Sequence, residues 1–502
     1  MIEFFDGGFF VGRNPQDGSH SDGAGRVGLV ASFKAVWDDQ EEGNAATLIH
    51  CKQNKNHSPL TVVQPLRWTS DSKKIQSLKK YAAVLLCPGL QSGSTQRLAF
   101  HQCVGDLSRA GIALQVMISE AHDMKETLAA LSTPLKAPVM FRFWKGGGYS
   151  HLADIMAAAR LHKKIFFDVS HLVSNGQVAW LCSQIGADRL FLASHSPLVI
   201  TDSVVGSIAT CPHLKAADKK IILSGYALRK SLKIEVPKKM EAAFNGKLPP
   251  EWNELCNAPK FDTHWHSDGW DLLEPRKGLK EAILYLDRFH YRGVGISSIT
   301  ALNYDVIDGN KRLFDALEMD ERFFAHVVVD PLRPDESFRL LETYHTHPRF
   351  LGLKTIQDYY GLGLDDARYS DFLAWAGKHR CPVMAHIPGM AAAAQAHPQT
   401  KFIAAHTTWD RLPRLTLGKD LVPSNIYFDI ATSHALAQAT QMKRLILHLG
   451  AERFLFSVDG PLMNPAWTLG KLVDAALSDD VLQKILFHNA ANLFDAWQSH
   501  VS

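Results

Sequence analysis

Several features are scarce in this chain of 502 residues. Its seven cysteines are scattered with no Cys-x-x-Cys pair, which excludes a zinc ribbon or a disulfide framework and reads as the reduced thiols of a cytoplasmic protein. Charge of one sign is not in excess. The net charge is +3, which gives no reason to invoke nucleic acid as a partner. No apolar run is long enough to span a bilayer, and Met1-Ile2-Glu3-Phe4-Phe5-Asp6 reads as a strand rather than a signal peptide. Hydrophobic residues at 46% and charged residues at 21% exclude disorder and a membrane protein as classes. What remains is an ordinary globular composition, at a length that calls for two domains. The unusual count is 24 histidines.

The amino-terminal half alternates short apolar runs with amphipathic stretches. Strands are expected at Glu3–Phe10, Ala46–His50, Leu60–Pro65, Ala82–Cys87, Ile112–Ile118, Val139–Trp144, Ile165–Val169 and Leu190–Ala193, with helices such as Leu152–Leu161 and Val178–Ile185 between them. The second half repeats the rhythm, with strands at Phe261–His266, Gly293–Ile299, Phe323–Val329, Phe350–Thr355, Pro382–His386, Phe402–His406, Ile426–Ile430 and Phe454–Val458. Helices fit at Leu279–Phe289, Phe338–Tyr344, Ser370–Lys378, Leu436–Leu449 and Leu469–Leu477. Eight strand–helix units in roughly 240 residues suit a closed (β/α)8 barrel.

The halves also match in order. Gly450-Ala451-Glu452-Arg453-Phe454-Leu455-Phe456-Ser457-Val458-Asp459-Gly460-Pro461-Leu462 parallels Gly186-Ala187-Asp188-Arg189-Leu190-Phe191-Leu192-Ala193-Ser194-His195-Ser196-Pro197-Leu198. Phe428-Asp429-Ile430 parallels Phe167-Asp168-Val169, Asp330-Pro331-Leu332 parallels Gln64-Pro65-Leu66, and Phe261-Asp262 parallels Phe5-Asp6. The expectation is an α/β protein of two tandem (β/α)8 TIM barrels made by internal duplication. The domains would be 1–235 and 258–502. Residues 236–257, with Val236-Pro237-Lys238-Lys239 and Leu248-Pro249-Pro250, have linker chemistry.

Candidate chemistry lies where the strands of the second half end. In Phe261-Asp262-Thr263-His264-Trp265-His266, a strand puts His264 and His266 on one face, about 7 Å apart along the strand, able to converge on one metal ion. Lys354, His386, His406 and Asp459 end the later strands, each a polar residue closing a run that should otherwise be buried. One core histidine would be unremarkable, but four histidines and an aspartate at strand ends point to a metal site. Three neutral imidazoles and a carboxylate leave room for a water whose pKa a metal lowers toward about 7. Asp459 can accept that water's proton, and His406 can hydrogen-bond the resulting hydroxide or stabilise a developing oxyanion.

These residues resemble the amidohydrolase superfamily, in the branch of aminocarboxymuconate-semialdehyde decarboxylase and related hydrolases. The matching pieces are Asp262-Thr263-His264-Trp265-His266, His386, Ala405-His406, Tyr427-Phe428-Asp429-Ile430, Phe456-Ser457-Val458-Asp459-Gly460-Pro461 and Asn489-Ala490. The chain departs at Thr407-Thr408, where the family usually has a glycine. The resemblance implies that His264, His266, His386 and Asp459 hold one divalent ion, usually zinc, with His406 catalytic. It leaves two readings of Lys354: a carbamylated bridge between two metals, as in binuclear members, or an ammonium that pairs with substrate or a carboxylate, the favoured one. Trp265, Tyr359, Trp409, Arg411, Arg414 and His434 are candidate substrate contacts.

The first half keeps none of this set. His264 corresponds to Gly8, His266 to Phe10, His386 to Met117, and His406 falls near Trp144. His195 alone stands at a ligand position, that of Asp459. Such residues cannot hold zinc, and His195 and His171 read as leftover polar groups. Hydrolysis of an ester, lactone or amide of a small molecule is therefore the leading expectation for the second half. Non-oxidative decarboxylation is the alternative. A non-catalytic binding protein with a structural metal is a third, weakened by His406, a histidine more than a closed zinc site needs. No membrane or nucleic-acid partner is expected. The first barrel is expected to act as the partner in an intramolecular pseudo-dimer, with Arg142 and Lys145, beside Trp144 and Gly146-Gly147-Gly148, as groups it could lend.

Overall fold

The computed structural model describes residues 3–15, 18–89, 95–143, 152–268, 278–407, 422–431 and 439–494. The chain divides into two compact units, Met1–Pro249 and Pro250–Ser502.

The first unit is a curled sheet in the order β2-β1-β3-β4-β5-β6-β7-β8-β9. Its strands are β1 (Asp6–Arg13), β2 (His20–Ser21), β3 (Gly28–Ser32), β4 (His57–Val62), β5 (Ala83–Leu86), β6 (Leu114–Ile118), β7 (Val139–Phe143), β8 (Ile165–Asp168) and β9 (Leu190–Phe191). All neighbours pair parallel except β1 and β2. The two ends of the curl are joined by hydrogen bonds from Gly7 N to Leu192 O, His195 N to Gly8 O and Phe10 N to Ser196 O.

Two expectations fail here. Ala46–His50 is not a strand but the interior of the helix Gln40–Gln53, whose first turn carries Glu41 and Glu42 and is capped by the Asp39 side chain accepting from Glu42 N. A short apolar run alone cannot separate strand from helix, and the cap was the better guide. The strand it displaced is β3, unrecognised in Gly28-Leu29-Val30-Ala31-Ser32. Gly28 is required there, since a Cβ would lie 2.0 Å from Asp6 O.

The second unit is a near-closed, all-parallel eight-stranded barrel in sequence order. It comprises β10 (Lys260–His266), β11 (Tyr291–Ser297), β12 (Phe323–Val328), β13 (Phe350–Lys354), β14 (Val383–Ala385), β15 (Phe402–Ala404), β16 (Ile426–Asp429) and β17 (Phe454–Leu455). A parallel bridge between Trp265 and Gly460, with hydrogen bonds from Thr263 N to Phe456 O, Asp459 N to His264 O and His266 N to Gly460 O, ties the first strand to the last. These bonds fall on the residues that parallel those of the first unit's seam.

Phe261, Phe324, Leu351, Met384, Ile403, Ala405, Leu455 and Phe494 fill the interior below the site. Each buried Phe, Leu, Ile or Met among them contributes about 1.5–3 kcal/mol. At the amino end of β10 the buried Lys260 ammonium donates to the carbonyl oxygens of Cys256, Ala258 and Phe289. The stretch read as a linker instead carries the helices Lys238–Ala243 and Pro250–Asn257. The second of these packs on Pro465–Ala475 within its own unit. Among the described residues no helix is long and apolar enough to cross a membrane.

Candidate metal centre

Strand alternation brings His264 and His266 forward together at the end of β10, where the ladder to β11 slips between Asp262 and Trp265. Such a bulge re-aims side chains. Beneath them, the buried Asp262 accepts from His264 N at 3.0 Å and from Val458 N at 3.2 Å, stitching the first strand to the last. Its role is to hold the seam. Burial pushes its carboxyl well above the usual range.

His264, His266 and Asp459 offer ligand atoms that all lie within 4.8 Å of one another. Asp459 Oδ1 is 3.1 Å from His266 Nε2 and 3.5 Å from His264 Nε2. Both Asp459 and His406 have a left-handed backbone, with φ of 65° and 56°. This conformation is unusual for a side-chain-bearing residue and is found where a site dictates direction. His386 stands just outside the close trio. Its ring centroid is 5.3 Å from that of His406, which in turn is 5.0 Å from that of His264.

Each histidine of the expected ligand set has its Nδ1 engaged from outside. His264 Nδ1 bonds Asp429 at 2.5 Å, His266 Nδ1 bonds the Ser297 hydroxyl at 3.1 Å, and His386 Nδ1 bonds Asp358 at 2.7 Å. Asp429 is itself held by the Ser457 hydroxyl. The carboxylates leave His264 and His386 with Nε2 as the ligand atom, and the Ser297 hydroxyl holds His266 by the same nitrogen; outer partners of this kind orient the ring. Burial is the largest influence pushing the His264 pKa well below its ordinary value, assisted by the Lys354 charge, so the ring is neutral as a ligand must be. Burial also pushes Asp459 up, but His406, the His266 bond and Lys354 outweigh it and hold the carboxylate below its usual range. The donor set fits a divalent ion.

Lys354 is fully buried at the end of β13, with Nζ 3.0 Å from His264 Nε2. Burial depresses its pKa, against the pull of Asp459, Asp429 and Asp358. Trp265, a candidate substrate contact, packs against the seam. It is buried, and its ring lies so close to Gly460 that a Cβ there would meet it at 2.4 Å. Tyr359 is half exposed and T-shaped to the His386 ring, the centroids 6.0 Å apart. Trp409, Arg411, Arg414 and His434 lie outside the described residues, as do Trp144, Lys145 and Gly146-Gly147-Gly148.

Asp358 and Ser297 were not singled out in the sequence. Asp429 carries two signals in the sequence, its recurrence as Asp168 and its place in the Tyr427-Phe428-Asp429-Ile430 piece of the resemblance, but neither assigns it a role. Arg142 is corrected too. It is wholly buried in its own unit, donating to Gln115 Oε1 at 3.0 Å and Gly8 O at 2.9 Å, with His195 Nδ1 at 3.2 Å, so it is not available to lend.

Residues 308–496 match the family model described as Amidohydrolase. The match takes in His386, His406 and Asp459 but begins after His264 and His266. No curated relative matches the chain. Among solved structures, the chain is similar to 2,6-dihydroxybenzoate decarboxylase from Rhizobium, at 17% identity over 47% of this chain and 98% of that one, with a TM-score of 0.38. It is also similar to a dihydroxybenzoic acid decarboxylase from Polaromonas with bound manganese (16% identity, 47% and 97% covered, TM-score 0.38). A third is a protein assigned as a 2-pyrone-4,6-dicarboxylic acid hydrolase from Acinetobacter baumannii (12%, 47% and 98%, TM-score 0.37).

Proposed function

We propose that the second unit is a metal-dependent enzyme of the amidohydrolase type, hydrolysing an ester, lactone or amide bond of a small molecule. The supporting observation is the arrangement of the three rings, whose Nδ1 atoms are tied back, with the Nε2 atoms of His264 and His266 beside Asp459 and His386 just outside that trio. These four residues would hold one ion, with zinc the one we expect. A divalent ion so held supplies Lewis acidity toward water or a substrate oxygen. The ionised Asp459 is placed to take a proton from an attacking water. His406, across the site, stabilises negative charge developing on the substrate. Lys354 adds a buried positive charge beside His264.

That charge favours a second reading, non-oxidative decarboxylation, because a buried ammonium is matched by a substrate carboxylate. We further infer that the first unit is a degenerate copy of the same barrel, since seam bonds at paralleled positions close both sheets. The test is metal analysis of the purified full-length chain together with a screen of lactones, amides and carboxylic acids. One ion per chain, and turnover abolished by a chelator, is the expected result. Full activity in metal-free protein would overturn the proposal, and two ions per chain would return Lys354 to the bridging role.

A further inference from the structure

We propose that Asp358 is a positioning residue for the metal centre, presenting His386 as its outlying ligand. The proposal rests on the reading of the second unit as a metal site. His386 is the one expected histidine ligand outside the close trio with Asp459, so its participation depends on how its ring is held.

The turn that follows β13, Gln357–Tyr360, is built around it. The buried Gln357 donates through Nε2 to His386 O at 2.6 Å and to Pro388 O at 2.8 Å. Thr355 N donates to Met384 O at 3.0 Å, and Leu364 N to Pro388 O at 2.9 Å. Main chain on both sides of the turn is thus fastened to the segment that carries the histidine. On that anchored frame Asp358 Oδ1 accepts a hydrogen bond from His386 Nδ1 at 2.7 Å, and Tyr359 sets its ring against the imidazole.

The bond does two things. It fixes the tautomer so that the lone pair is on Nε2, and it stops the ring from turning away from the centre. His264 and His266 have equivalent partners in Asp429 and Ser297, but those are almost completely buried. The Asp358 side chain is 40% exposed, so its substitution opens no sealed cavity and tests positioning rather than packing.

The experiment uses the full chain as wild type, Asp358→Ala, Asp358→Asn, His386→Ala and His264→Ala. Zn2+ affinity is measured by competition with a chromophoric chelator, and the melting temperature of each metal-free protein is recorded beside it. Asp358→Ala should weaken Zn2+ binding about 10–100-fold, the range seen when an outer partner is lost, and leave the metal-free melting temperature unchanged. Asp358→Asn, whose amide oxygen can still accept a hydrogen bond from Nδ1–H, should recover most of the loss. If Asp358→Ala binds Zn2+ like wild type while His386→Ala does not, the positioning role is wrong. A fall in metal-free stability equal to the loss of affinity would overturn it as well, by assigning Asp358 to holding the turn. Unchanged affinity in both His264→Ala and His386→Ala would instead sink the metal-centre reading itself.

Discussion

At the seam of the second unit His264 and His266 come forward to meet Asp459. At the paralleled positions of the first unit stand Gly8, Phe10 and His195, and a guanidinium fills the space between them. Arg142 lies so close to Gly8 that a Cβ there would sit 2.4 Å from its Nη1. His195, left-handed like Asp459, bridges it to Asp168 through a 3.0 Å contact. Asp168 is held by Ser170 as Asp429 is by Ser457. The strand registers place Phe143, rather than Trp144, opposite the position of His406. Both mouths therefore keep a buried carboxylate behind the seam. In the first unit the Arg142 guanidinium sets positive charge in front of it. In the second, Lys354 stands beside His264, Asp429 lies behind that ring, and the donors are those we propose for an ion. The comparison teaches that a carboxylate buried behind such a seam needs positive charge close by, whether or not metal ligands stand in front of it.

The strongest way to break this contrast is to remove ligands from one side only. His264→Ala or Asp459→Ala should abolish both metal and turnover, a loss of about 10³-fold or more, while His195→Ala leaves the metal content of the full chain unchanged by elemental analysis. Metal loss in His195→Ala would show that the first unit binds an ion after all. His406→Asn should slow turnover by about 10²–10⁴-fold and keep its metal. Equal metal loss there and in His264→Ala would make His406 a ligand.

The guanidinium can be tested in the same way. Arg142→Met should destabilise the first unit by about 3–5 kcal/mol in denaturant unfolding, because it strands Asp168 and His195 in a dry site. A chelator should lower the unfolding transition of the second unit by about 2–4 kcal/mol, the linkage of a tightly held ion, and leave the first unit's transition in place. The smallest effect is expected for Gly8→His, about 1–3 kcal/mol of overpacking against Arg142, with no gain of metal. If that variant binds a second ion, Arg142 is not what blocks the site.

The barrel strands of the second half were legible because each is a local pattern: an apolar run ended by a polar residue, with helical spacing between runs. All eight fall where the pattern puts them. In the first half the same reasoning missed β3 and misread Ala46–His50. There the runs are short, and what makes β3 a strand is its parallel pairing with β1 and β4, which no local window contains.

The residue types that can bind a divalent ion, and their places at strand ends, were determined by the sequence alone. Tertiary structure decided which nitrogen of each ring faces the centre. His264 finds Asp429 across a separation of 165 residues, His266 finds Ser297 across 31, and His386 finds Asp358 across 28. It also decided that Trp265 packs under Gly460 and that Arg142 turns inward onto Gly8, neither of which the identity of those residues implies. A side chain's chemistry is carried by its own atoms, but its direction is set by the partner that satisfies it, and in a barrel that partner comes from another strand or from the turn that follows one.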